Sequence, residues 1–232
     1  MRWGGEPEGL NGACPMITVR REEGPVSPRA PQGYRIRDSD GVIVPNADGI
    51  IGVSDHGGWA VLVTATGDGT LLDRRRAELV DEGLPKIPHH SEAQRLPLDE
   101  AVALVERVRA SAARQATREL DAVAAALPGR IRGIALRECP VLPPTVAECI
   151  TDYRAQNVAD WVMYRRALAA AASARGWAVH WYDAKTVIDA AGEALGIQDI
   201  DAHLSRVRES IGPPWGKDHR VAMAAAIVAG RS

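Results

Sequence analysis

At 232 residues, the chain suits one generous domain, or one domain with an extension. Hydrophobic residues make up 46% of it and Phe is absent, so its core is aliphatic with Trp as the bulky filler. A formal net charge of −2 counts against a general nucleic-acid binder, which carries a basic excess, but leaves room for a local basic face.

No apolar run reaches the length of about 18 residues that a membrane span needs, and the N-terminus has no signal-peptide core. Cys14, Cys139 and Cys149 are an odd count without motif spacing. They point to a reduced, cytoplasmic protein with no disulfide framework.

Residues 1–47 carry Gly4, Gly5, Pro7, Pro15, Pro25, Pro28, Pro31 and Pro45 among scattered charge. Such composition buries little apolar surface and reads as a loosely attached arm. A short strand at Tyr34–Ile36 or Val42–Val44 is a candidate to join a sheet. The domain proper is expected over 48–232.

Two apolar, β-branched runs, Ile50–Val53 and Trp59–Val63, flank Asp55-His56-Gly57-Gly58. Paired glycines suit a tight hairpin, which leaves the carboxylate of Asp55 at the end of the first strand. Gly67-Asp68-Gly69 is a turn signal, and Thr70–Leu72 is the third strand of an antiparallel meander. Arg74-Arg75-Arg76 reads as a solvated charged turn, with phosphate binding as the sharper alternative. Pro85, Pro88 and Pro97 mark an irregular connection. It holds His89, His90 and Glu92, which are too close in sequence to converge readily on one metal ion.

Ala101, Val105, Val108, Ala112, Ala116, Leu120, Val123 and Leu127 form one apolar stripe, so a helix is predicted over 98–127. Arg107, Arg114 and Arg118 share another face of it, either solvated or meeting a phosphate backbone. Ile131–Leu136 is a buried strand, parallel to the first through a right-handed crossover, with Glu138 just beyond its end. A long helix from about Thr145 to Arg175, a strand at Trp177–Tyr182, helices near 184–195 and 199–210, and a last apolar helix opening at Asp218 complete the chain. This order describes an α/β fold on a mixed five-stranded sheet flanked by helices.

Asp55, Glu138 and Asp218 each have a plain structural reading. Asp before Gly is common in hairpins, Glu138 can pair with a nearby Arg, and Asp is a favoured helix N-cap. If the first and fourth strands are neighbours and the last helix covers their ends, the three acids instead form a cluster. Hard oxygen ligands without thiolates favour Mg²⁺ or Mn²⁺. Two such ions roughly 4 Å apart can activate water and stabilise the leaving oxygen in phosphodiester cleavage.

On Asp55-His56-Gly57, Glu138 and Asp218-His219-Arg220-Val221, residues 49–230 resemble the RNase H-like superfamily, and within it the RuvC-like Holliday-junction resolvases. The resemblance implies a divalent-metal-dependent nuclease with Asp55, Glu138 and Asp218 as catalytic metal ligands. It places Lys185 near the family's basic position and implies a nucleic-acid partner and a homodimer. Lys217 and Arg220 would stand beside phosphate charge.

Two departures qualify it. Val221 occupies the family's second acidic position in the last helix, where His219 is a candidate to help. A one-residue shift of strand register would put Ser54, and not Asp55, in the first. A catalytically inactive relative that binds nucleic acid or protein is the alternative reading, and a nucleotide-binding relative of the sugar-kinase and actin group ranks last.

Overall fold

The alternation of side chains along β1 decides what the rest of the fold can do. In the computed structural model, which describes residues 48–232, β1 runs Gly49–His56, β2 Trp59–Ala65 and β3 Leu71–Glu78. These form the antiparallel meander, closed by a two-residue turn with Gly58 at φ +77°. Then come α1 (Leu98–Ala126), β4 (Ile131–Arg137), α2 (Val146–Thr151), α3 (Tyr153–Ser173) and β5 (Ala178–Tyr182). The helices α4 (Val187–Leu195), α5 (Ile200–Ile211) and α6 (Lys217–Arg231) end the chain.

The strand order is β3-β2-β1-β4-β5, with β1, β4 and β5 mutually parallel. This is an open, mixed five-stranded sheet, a meander plus parallel strands flanked by helices, as expected from the sequence. The candidate strands at Tyr34–Ile36 and Val42–Val44 lie outside the described residues. Among the described residues, no helix is long and apolar enough to cross a membrane.

Two cores sandwich the sheet. On one face Ile51, Val53, Leu62, Ile134 and Leu136 pack with the stripes of α1 and α3. On the other, Ile50, Val61, Val63, Ala135 and Tyr182 pack with α4, α5 and the alanines of α6. Helix α6 lies unusually close to β1. A Cβ built on Gly52 would fall 1.7 Å from the Ala222 carbonyl oxygen, and one on Gly67 would fall 2.6 Å from that of Gly230. Glycine at these positions, facing Ala222 and Gly230 of the helix, lets the backbones come together.

Several elements differ from the sequence expectation. The triple arginine is part of β3 and not a turn. Arg74 and Arg76 lie on the α6 face, and Arg74 donates to the carbonyls of Ile211, Gly212, Pro213 and Pro214. The expected helix over 145–175 is broken at Asp152, whose carboxylate accepts from the N–H groups of Arg154 and Ala155, both at 2.8 Å. An N-capping Asp at that point outcompetes helix continuation. A short 3-10 helix, Glu92–Arg95, interrupts the proline-rich connection. The last helix opens at Lys217 with Gly216 as N-cap, so Asp218 sits in its first turn and is not the cap.

Candidate functional site at the strand ends

The carboxyl ends of β1, β4 and β5 lie side by side, as parallel strands require. From β1, Ile50, Gly52 and Ser54 face α6, whereas Ile51, Val53 and Asp55 face α3. Adjacent residues of one strand cannot share a face. Asp55, expected at the strand end, is inside β1, which continues to His56.

Asp55 is 4% exposed and Arg165 of α3 is 5% exposed. Arg165 Nε donates to Asp55 Oδ2 at 2.9 Å, and Arg165 Nη1 donates to the Glu138 carbonyl at 2.9 Å. One guanidinium thus ties the ends of β1 and β4 from the α3 side. The other oxygen, Asp55 Oδ1, is buried without a hydrogen-bond partner among the described residues.

Asp218 faces the opposite side of the sheet. Ser54 Oγ donates to its Oδ1 at 3.1 Å, and His56 Nε2 lies 3.1 Å from its Oδ2, within ion-pair distance but off the line of a ring hydrogen bond. Arg74 clamps the 211–214 carbonyls, and Trp215 Nε1 donates to the Leu204 carbonyl at 2.7 Å. Together they hold the start of α6 in place. His219 Nδ1 accepts from the Gly216 N–H at 3.3 Å, and burial together with Arg74 lowers the pKa of its ring.

The same face carries Arg137, cross-strand from Tyr182. Tyr182 donates to the Val53 carbonyl at 2.6 Å, and burial, with the charge of Asp55, pushes its phenol up to about 12. Arg137 Nε is buried without a hydrogen-bond partner among the described residues. Beyond His56, Trp59 stacks on its ring at 3.9 Å and 5°, and the Arg76 guanidinium lies 3.7 Å from the Trp59 ring centre.

The structure does not bring the three expected carboxylates together. Asp55 and Asp218 lie on opposite faces of the sheet. Glu138 follows β4 with an exposed side chain, and its own backbone N–H donates to the Tyr182 carbonyl at 3.0 Å. Among the described residues, no group of three or more His, Cys, Asp or Glu side chains is gathered so as to hold a metal ion. The residues at this position do not fit the expected Mg²⁺ or Mn²⁺ pair. A hydroxyl, Ser54, stands on the face where a first carboxylate is needed, and the guanidinium of Arg137 shares that face with Asp218. Ser54 is only 2% exposed and its proton already goes to Asp218, so it is not placed to attack a substrate.

Lys185 lies in the turn after β5 with an exposed side chain, and it makes no ion pair among the described residues. Lys217 is exposed at the start of α6, and Arg220 pairs with Asp201 at 3.1 Å. Arg107, Arg114 and Arg118 are on α1, across the sheet from Asp218. Arg114 bonds to Asp81 at 2.6 Å, and Arg118 to Glu119 at 2.9 Å. Gln115, Ser111 and Arg114 together hold the Asp81 carboxyl down to about 2. His89, part of the dismissed metal cluster, is bonded through Nδ1 to buried Asp160 at 2.7 Å.

Roles for Arg165 and Arg137 and the stacking of His56, Trp59 and Arg76 are absent from the sequence reading, which names Arg76 only within the arginine run. Arg165 carried a signal, because it falls on the apolar stripe Val162, Leu168 and Ala172, where an Arg needs a buried partner.

No protein-family model matches the sequence, and no curated protein matches it. Among solved structures, the chain is similar to Thermus thermophilus RuvC at 16% identity and a TM-score of 0.42, covering 79% of this chain and 93% of that one. It is also similar to T. thermophilus RuvC in complex with a Holliday junction substrate, at 17% identity and a TM-score of 0.44 over the same shares.

Proposed function

We propose that this chain is an RNase H-like module that binds nucleic acid at the strand-end rim without cleaving it. The observation that carries this reading is the split of its acids. Asp55 is paired with Arg165 on one face, while Asp218 on the other is flanked by Ser54 and His56. Phosphodiester cleavage by the two-ion route needs carboxylates converging on one point, and here they diverge.

The case for nucleic acid rests on the rim around Asp218. Lys217 precedes Asp218 in sequence, and Arg76 and Arg137 lie on the same face of the sheet. Arg76 is paired with Glu78 at 2.7 Å and Arg220 with Asp201 at 3.1 Å. The buried Arg137 Nε, without a hydrogen-bond partner among the described residues, is a donor suited to a phosphate oxygen. The aromatic column beside it adds flat surface of the kind that single strands use.

The test is a panel of labelled single-stranded, duplex and four-way-junction oligonucleotides, with Mg²⁺ or Mn²⁺ present, scored for both binding and cleavage. Binding should weaken steeply with salt, and Lys217→Gln and Arg220→Gln should each reduce the salt slope by about 1. No oligonucleotide should be cut. Metal-dependent cleavage abolished by Asp218→Asn would reinstate the nuclease reading. Absence of binding at low salt would remove nucleic acid as the partner.

A further inference from the structure

A second feature lies away from this rim. Between α1, α3 and the segment that leads into α2 is a cleft of about 330 Å³, at the small end of the range for ligand pockets. Leu142, Val146, Val162, Met163 and Ala167 supply an apolar part of its lining. Two guanidinium groups, Arg109 from α1 and Arg166 from α3, line it from different helices.

Arg166 is exposed and has no ion-pair partner among the described residues. Arg109 bonds to Glu106 at 2.8 Å, an exposed i,i+3 pair. Such a pair is worth little and can exchange for a better acceptor.

One lining residue, His89, is held in place by Asp160 behind it. His89 is 3% exposed and Asp160 is fully buried. The Asp160 carboxylate accepts from His89 N–H at 3.1 Å, His90 N–H at 3.2 Å and His89 Nδ1 at 2.7 Å. A carboxylate is an acceptor only, so Nδ1 carries the proton and the ring is held in one orientation. Cys149 Sγ, 3.6 Å from the Pro143 carbonyl, completes the lining. Burial raises its thiol pKa, as a site of low polarity does.

We propose that this cleft binds a small amphipathic carboxylate, with its head between Arg109 and Arg166 and its chain along the apolar part of the lining. The planar fork of a guanidinium matches a carboxylate. A single charge is cheaper to desolvate beside an apolar wall than the near-double charge of a phosphate ester. Nothing in this assignment depends on the strand-end rim, which lies on the other side of the sheet.

The experiment is a calorimetric titration of the full chain with octanoate, compared with 1-octanol and octyl phosphate. Octanoate should bind, and octanol should bind at least about tenfold more weakly, as loss of charge-assisted hydrogen bonds requires. Arg109→Gln and Arg166→Gln replace exposed helical side chains, so folding is expected to survive, and each should weaken octanoate about tenfold. Ala113→Leu, which narrows the cleft from α1, should weaken octanoate and octanol alike. Equal binding of octanoate and octanol, tighter binding of octyl phosphate, no heat at all, or Arg variants that bind normally would each overturn the proposal.

Discussion

Ser54 and Asp55 are neighbours in sequence, yet strand alternation sends the hydroxyl to Asp218 and the carboxylate to Arg165. The second contact is the more consequential for stability. Both partners of the Asp55–Arg165 pair are nearly inaccessible, so removing one leaves an uncompensated buried charge. Arg165→Met should therefore cost about 3–5 kcal/mol in denaturant unfolding. The double variant Asp55→Leu with Arg165→Met should recover most of that loss, because two apolar groups of similar size need no pairing and Asp55 Oδ1 is unsatisfied even in the native chain. If the single variant is as stable as the parent, the pair holds nothing together. If the double variant is no better than the single, packing and not charge is what Arg165 contributes.

At the level of elements, α6 and β1 set the geometry of the rim. Asp218 reaches Ser54 because α6 descends onto the strand where Gly52 offers no side chain. Gly52→Ala would drive a methyl group into the Ala222 carbonyl, and overpacking of this kind costs about 3 kcal/mol or more. The expected result is a lowered urea midpoint and, in the folded fraction, altered chemical shifts at Ser54 and Asp218. An unchanged midpoint would mean that the helix can move aside freely.

Much of this architecture was legible in the residues. The stripe of α1 marked a 29-residue helix nearly to its ends, and the glycine pair marked the hairpin. What could not be read was the facing of Asp55. Ile50, Ile51 and Val53 are apolar on both sides because both sheet faces are covered, so the run has no alternation from which to count. The break at Asp152 was hidden for a different reason. A helix interior and an N-cap differ there by one side-chain acceptor, and the flanking apolar spacing continues through it.

At the scale of the molecule, the sheet separates two chemical settings. The α6 side carries Asp218 with Ser54 and His56, and the α3 side carries the buried ion pair and the α1–α3 cleft. The arrangement predicts how global stability responds to divalent ions. With the ends of β1 and β4 joined by Arg165, the thermal midpoint should be the same in EDTA as in millimolar Mg²⁺ or Mn²⁺. A ligand that binds only the folded state would raise it, so an upward shift with Mn²⁺ that disappears in Asp218→Asn would reveal a binding site at the rim. A guanidinium borne on the chain also differs from a recruited ion in its supply. It comes with every translated copy in a ratio of one to one and cannot be stripped by a chelator or swapped for a competing metal. The gap between the two central strands is therefore the same in a cell starved of divalent ions as in one replete with them.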